Sequence, residues 1–242
     1  MRTIYFYLLI IINLIWINFK KPKFNSIKKR KSIEKAEVYL FKVATKWSNF
    51  VLKSANLNLT VIGKENIPNE ACLFVGNHQS DFDIPVILAN MNRLTGAVAK
   101  KSMLKIPIMS YWMKQIHCVF MDRENPREAL KSMAEGVENL KNGYSMLIFP
   151  EGTRSRCNNM GEFKKGSMRL AIKAGVPIVP ITLYDTYKVM EGNNGKIKRA
   201  SAKLIIDKPV YLDGMSKEEK TNISDLIKSI IQGNLDRERH VS

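Results

Sequence analysis

From residue 57 onward, short apolar runs alternate with stretches patterned for helix, and this alternation limits the fold more than any other feature. LNLTVI (57–62) alternates apolar with polar residues like a half-buried strand. Further strands are predicted at ACLFVGN (71–77), GAVAK (96–100), CVFMD (118–122), SMLIFP (145–150), VPIVPITLY (176–184) and KLIIDKPVYL (203–212). The prolines in the last two predict sheet edges or strand ends, because proline cannot donate to a ladder. Asp83-Ile84-Pro85 opens a helix to about Asn90, since Asp caps and Pro suits a first turn. Asn125-Pro126 opens another, closed by Gly143. Residues 165–174 read as a helix stopped by Gly175, and the capping box from Ser216 to Glu219 starts a last helix to about Asn234. A further helix fits between 100 and 118. Strands separated by helices predict an α/β domain over 57–242, with a largely parallel or mixed central sheet flanked by helices. With 45% hydrophobic and 25% charged residues, the chain is neither wholly disordered nor a polytopic membrane protein.

Residues 1–56 have a different character. Positions 3–19, TIYFYLLIIINLIWINF, carry no charge. As a helix this stretch reaches about 25 Å, just short of a hydrocarbon core of about 30 Å. Positions 20–31, KKPKFNSIKKRK, then hold seven basic residues and no acid. A cleaved signal peptide would need a small-residue cleavage site, which does not follow. A buried core helix would not need aromatic and leucine residues all round. A membrane anchor fits best, with Tyr5 and Trp16 near the headgroups and the basic block against anionic lipid. Basic residues are retained on the cytoplasmic side, so the bulk of the protein is expected at the cytoplasmic face of a membrane, whether the segment spans or only inserts. In the next stretch Ala36, Leu40, Val43, Ala44, Trp47 and Val51 recur at helical spacing. That helix can lie in the membrane interface, with Trp47 and Phe50 inserted, or dock on the globular part. Periodicity does not distinguish the two.

The chain has 39 Lys and Arg against 22 Asp and Glu, a formal net charge of +17, which points to a polyanionic partner. Cys72, Cys118 and Cys157 form no CxxC pair, and three histidines do not make a histidine-rich metal site.

Two loops after strand ends carry candidate chemistry. In Asn77-His78-Gln79-Ser80-Asp81-Phe82-Asp83, His78 and Asp83 are five residues apart. On one straight helix they would diverge by about 140°. They meet only if His78 lies in the loop and Asp83 at the helix entrance. A carboxylate there can hold one ring nitrogen and leave the other as a base. Turn and capping bonds account for Ser80 and Asp81 as well. The second loop, Phe149-Pro150-Glu151-Gly152-Thr153-Arg154-Ser155-Arg156, offers glycine for close backbone approach and arginines for bidentate phosphate binding. Read alone, it fits a solvated basic loop equally well.

The order NHxSxxD, a strand ending in Asp122-Arg123, FPEGTRS and VPIVP resembles the glycerolipid acyltransferases, specifically the 1-acyl-glycerol-3-phosphate acyltransferases, over about residues 57–212. The resemblance implies a single glycerolipid-acyltransferase-like domain behind an N-terminal membrane-associating helical segment. It implies His78 and Asp83 as the catalytic pair. Arg123, Glu151, Gly152, Thr153 and Arg154 would bind the acceptor's phosphate portion, and Pro180 would serve acyl-donor binding or packing. The chain departs from the family's PxxG…G arrangement, with Ser110 after Pro107 and His117-Cys118 in the later stretch. The expected reaction moves an acyl group from acyl-CoA or acyl-acyl carrier protein, as co-substrate, to the sn-2 hydroxyl of lysophosphatidic acid, forming phosphatidic acid. No metal or other cofactor is expected. The expected partners are lysophosphatidic acid, the acyl donor and an anionic phospholipid surface, without nucleic acid. Alternatives are an acyltransferase using glycerol 3-phosphate or a lyso-ornithine-type lipid, and a non-enzymatic basic membrane-surface protein.

Overall fold

The computed structural model describes residues 1–30, 32–164 and 166–241. Strands β1 (Leu57–Ile62), β2 (Leu73–Gly76), β3 (Thr95–Lys100), β4 (Val119–Met121), β5 (Ser145–Ile148), β6 (Ile178–Tyr184) and β7 (Ala200–Ile206) form one sheet in the order β1-β7-β6-β2-β5-β3-β4. All neighbouring pairs are parallel except β6 and β7. Five adjacent strands, from β6 to β4, therefore end at the same edge. The loops that follow them share one side of the molecule, where α/β sheets build their sites.

Side chains alternate across this sheet, as strand geometry requires. Phe74, Leu147, Val179, Ile181 and Leu183 face one core; Leu73, Val75, Met146, Ile148 and Ile178 face the other. The first core is covered by α1 (Arg2–Asn18), α3 (Ile33–Ala55) and α4 (Asp83–Asn90), through residues such as Phe6, Leu52, Ala55 and Val86. The second is covered by α6 (Pro126–Lys141), α7 (Arg169–Ala174) and α8 (Lys217–Val241). On α8 the buried residues Ile223, Ile227, Ile231 and Leu235 recur every four positions, one helical stripe. Between α2 (Lys21–Lys29) and α5 (Pro107–Gln115), a smaller cluster joins Phe24, Ala36 and Leu40 to Tyr111 and Trp112.

The helix signals act as their chemistry requires. The Asn125 side chain accepts the N–H groups of Arg127 and Glu128 at 3.1 and 3.3 Å, capping α6. Gly143 follows that helix with φ +87°. Ser216 and Glu219 bond reciprocally, at 2.7 and 3.2 Å.

Several expectations change. Of the two places that proline suggested for 176–184, a sheet edge or a strand end, the edge is not observed: β6 is central and buried throughout, with Pro177 just before its first residue. Pairing with β7 begins only at Ile181, and Pro180 faces the segment where β7 has already left, its carbonyl accepting from Asp207 N–H at 3.0 Å. A missing N–H there falls at the end of the β6–β7 ladder rather than within it. The helix expected over 165–174 begins at Arg169, and Lys165, like Lys31 of the basic block, lies outside the described residues. The last helix runs past Asn234, whose buried amide instead bonds Thr182 and Asp207.

The segment before residue 57 is packed into the domain. Asn56 makes a left-handed turn (φ 57°) from α3 into β1, and the core continues across it. Of the two readings of α3, docking on the protein is observed, with Trp47 packed against the first core. By length and composition the helical run Arg2–Lys29 suffices to cross a membrane. One face of α1 is docked, however. Phe6 stacks near Phe82 (5.8 Å between centroids), Tyr7 bonds the Met190 sulfur (3.3 Å), and Arg2 bonds the Ala55 carbonyl (2.8 Å). The opposite stripe, Ile4, Tyr5, Leu8, Ile11, Ile12, Ile15, Trp16 and Phe19, is exposed. An exposed apolar stripe of this size marks a membrane or protein contact.

Candidate active site

The loop after β2 is fastened before it presents any chemistry. Asn77 is buried, and its amide donates to the Leu183 carbonyl at 2.9 Å and accepts the Leu183 N–H at 2.8 Å, imitating a strand against β6. His78 then leaves the sheet edge, and Asp83 stands at the start of α4. Their side chains meet: His78 Nδ1 lies 2.7 Å from Asp83 Oδ2. Asp83 is fully buried, whereas the His78 side chain keeps 19% of its exposure.

The Asp83 carboxylate is held from several directions. Oδ2 also accepts the N–H groups of Gln79 (2.6 Å) and Ser80 (2.9 Å), and Oδ1 accepts the Thr186 hydroxyl (2.5 Å). With those groups donating, the imidazole donates as well, so Nδ1 carries hydrogen and Nε2 is the basic nitrogen. Among the described residues, no side chain or backbone group hydrogen-bonds Nε2. The ring lies flat on Phe149, with centroids 4.1 Å apart and planes 7° apart, which limits its rotation.

The loop after β5 closes over the first. Ser155 N–H donates to the His78 carbonyl at 2.8 Å. Glu151, expected at the substrate phosphate, turns inward instead. Its oxygens accept His78 N–H and Gly161 N–H, each at 2.7 Å. Burial raises its pKa against the pull of those two bonds. Gly152 has φ +70°, and a Cβ there would lie 3.0 Å from Lys164 Nζ and 3.6 Å from Arg123 Nη1. Two cations thus flank a glycine, and neither has an ion-pair partner among the described residues. Partial loss of solvent lowers the Arg123 pKa. Thr153 is exposed. Arg154 pairs with Asp81 and, at 3.2 Å, with Glu191. Pro180 is buried within β6.

Sequence reasoning missed four residues. Phe149 was seen only as part of a motif. Lys164 lies ten positions beyond Arg154, outside that motif. Thr186 and Glu191 follow β6, more than 100 residues from the loop they hold. The available signal was topological: β6 neighbours β2, so its following segment must pass beside His78. One departure from the family pattern also acquires a cause. His117, in the stretch that departs from the expected PxxG…G arrangement, takes φ +62° and stacks on Tyr144 at 3.6 Å.

An acyltransferase family model matches residues 58–184. A chloroplastic 1-acyl-sn-glycerol-3-phosphate acyltransferase of Brassica napus is 38% identical over 152 residues, 62% of this chain and 44% of that one. One from Arabidopsis thaliana is 34% identical, over 69% of this chain and 48% of its own. The chain thus spans about half the length of these two curated relatives. The corresponding protein of Borreliella burgdorferi is 30% identical over 178 residues, 73% of this chain and 71% of that one. A crystal structure of the 1-acyl-sn-glycerophosphate acyltransferase of Thermotoga maritima superimposes with a TM-score of 0.80 at 28% identity, covering 99% of this chain and 98% of that one. The family model covers over half of the chain, and the Borreliella burgdorferi relative is covered over 71% of its length at 30% identity: the chain belongs to the 1-acyl-sn-glycerol-3-phosphate acyltransferase family.

Proposed function

We propose that the protein transfers a fatty acyl group from a thioester, on CoA or acyl carrier protein, to the sn-2 hydroxyl of 1-acyl-glycerol 3-phosphate. The observation that carries this reading is the 2.7 Å contact between His78 Nδ1 and a fully buried Asp83, which leaves Nε2 as the basic nitrogen of a partly exposed side chain. Nε2 takes the proton of the acceptor hydroxyl as its oxygen attacks the thioester carbonyl. Asp83 fixes the tautomer and stabilises the imidazolium. The carbon–sulfur bond then breaks, and the imidazolium returns its proton to the departing thiolate. A thiol with a pKa of about 8.5 is a good leaving group, so no acyl-enzyme is required. Arg123 and Lys164, beside Gly152, supply positive charge for the acceptor phosphate; Arg154 joins them if the phosphate displaces Asp81.

The exposed stripe of α1 supports an acceptor that resides in a membrane over water-soluble glycerol 3-phosphate. Basic α2 would rest on anionic headgroups, with the domain at the cytoplasmic face.

The test supplies purified protein with acyl-CoA and vesicles containing the lysolipid, then measures thiol release and phosphatidic acid. His78→Ala should lower turnover by about 10² to 10⁴ with unchanged circular dichroism. Lysolipids lacking phosphate should be poor acceptors. Near-wild-type turnover in His78→Ala would end this reading.

A further inference from the structure

Residues 185–197, between β6 and β7, touch both halves of the catalytic loop. Thr186 is fully buried, and its hydroxyl donates to Asp83 Oδ1. Glu191 accepts the Ser80 hydroxyl at 2.6 Å and the Asp81 N–H at 2.9 Å, and pairs with Arg154. The two contacts differ in kind. Glu191 braces the loop, whereas Thr186 acts on the carboxylate itself.

The carboxylate's bonds are unevenly divided. Oδ2 receives His78, Gln79 N–H and Ser80 N–H; among the described residues, the one hydrogen bond to Oδ1 comes from Thr186. We infer that Thr186 is a positioning residue for the reaction, fixing the rotation of the Asp83 carboxylate and drawing charge away from the oxygen that faces His78. This rests on the reading of His78 as general base.

Removing the hydroxyl has two consequences. An oxygen in a dry site loses the Thr186 hydroxyl, so the carboxylate turns and the imidazole follows. The remaining charge also concentrates on the side of His78, which favours the imidazolium. The acid limb of the pH–rate profile, which reports loss of the neutral base, then moves to higher pH. The charged groups near the imidazole are Asp83, Glu151 through His78 N–H, the Asp81–Arg154–Glu191 cluster, and Arg123 and Lys164 beside Gly152. A Thr186 substitution alters none of them directly.

The experiment compares wild type, Thr186→Val and Thr186→Ser in vesicle assays across pH. Thr186→Val should lower kcat about 10- to 100-fold, the scale of one hydrogen bond to a charged group. KM for the lysolipid should stay within about twofold, and the acid limb should shift upward. Thr186→Ser should restore both. In parallel, NMR of ¹⁵N-histidine should show His78 titrating at higher pH in the valine variant. If Thr186→Val does not fold, Thr186→Ala against Thr186→Ser carries the same comparison. An active wild type whose variants keep both kcat and the acid limb overturns the inference and leaves the function standing. A wild type with no acyl transfer, tested with both donor types, overturns the function instead.

Discussion

Two backbone N–H groups, those of His78 and Gly161, converge on the Glu151 carboxylate. An amide at this position can accept only one of them and must point its NH₂ at the other. Glu151→Gln should therefore destabilise the fold by about 1–3 kcal/mol, although it is nearly isosteric and removes a buried charge. Urea unfolding would measure this, and an unchanged midpoint would show that the two bonds do not hold the loops together. Activity should fall further than stability, because one of those bonds fixes the backbone of His78, the general base of the proposed reaction. The sequence points to Glu151 through its place in FPEGTRS, but a string of letters does not say which way a carboxylate turns. His78 and Asp83 were legible because five residues and a proline suffice to bring loop and helix entrance together. Thr186 was not, because its partner is 103 residues away and no local spacing records that distance.

Among the elements, the entry to β4 is expected to respond to acid. Burial is the main cause that lowers the His117 pKa, with Glu37 opposing it. Below about pH 6.5 the unfolded chain takes up a proton that the folded one resists. This contribution to stability is therefore complete above that pH. It declines as pH falls toward the lower folded value. His117→Asn keeps a side chain that tolerates φ +62° and removes the titration. Between pH 7.5 and 5.5 its urea midpoint should drop less than that of wild type; equal drops would assign the acid sensitivity elsewhere. The same scale shows why some elements could be read and others not. β1 is half-buried, so its alternation appears in the letters 57–62. β6 is buried on both faces, and only the early departure of β7 explains how it accommodates Pro180. Asn234 looks like a helix end, yet its amide ties α8 to Thr182 and Asp207, so α8 continues past it.

Across the whole molecule, α1 belongs to two environments. Phe6, Tyr7 and Arg2 attach it to the domain, while Ile12, Ile15 and Trp16 face away. Ile12→Glu with Trp16→Glu should leave folding intact, since both side chains are exposed, but should abolish flotation with anionic vesicles. Turnover of a dispersed short-chain acceptor should persist in that variant; parallel loss of both would mean that the stripe serves the fold. Because Phe6 leans on Phe82, next to Asp83, α1 touches the loop that holds His78 and Asp83. On the proposed function, a catalyst built this way samples its acceptor in two dimensions. Spreading a fixed quantity of lysolipid through more inert bilayer should slow it, even though the number of molecules in the tube is unchanged.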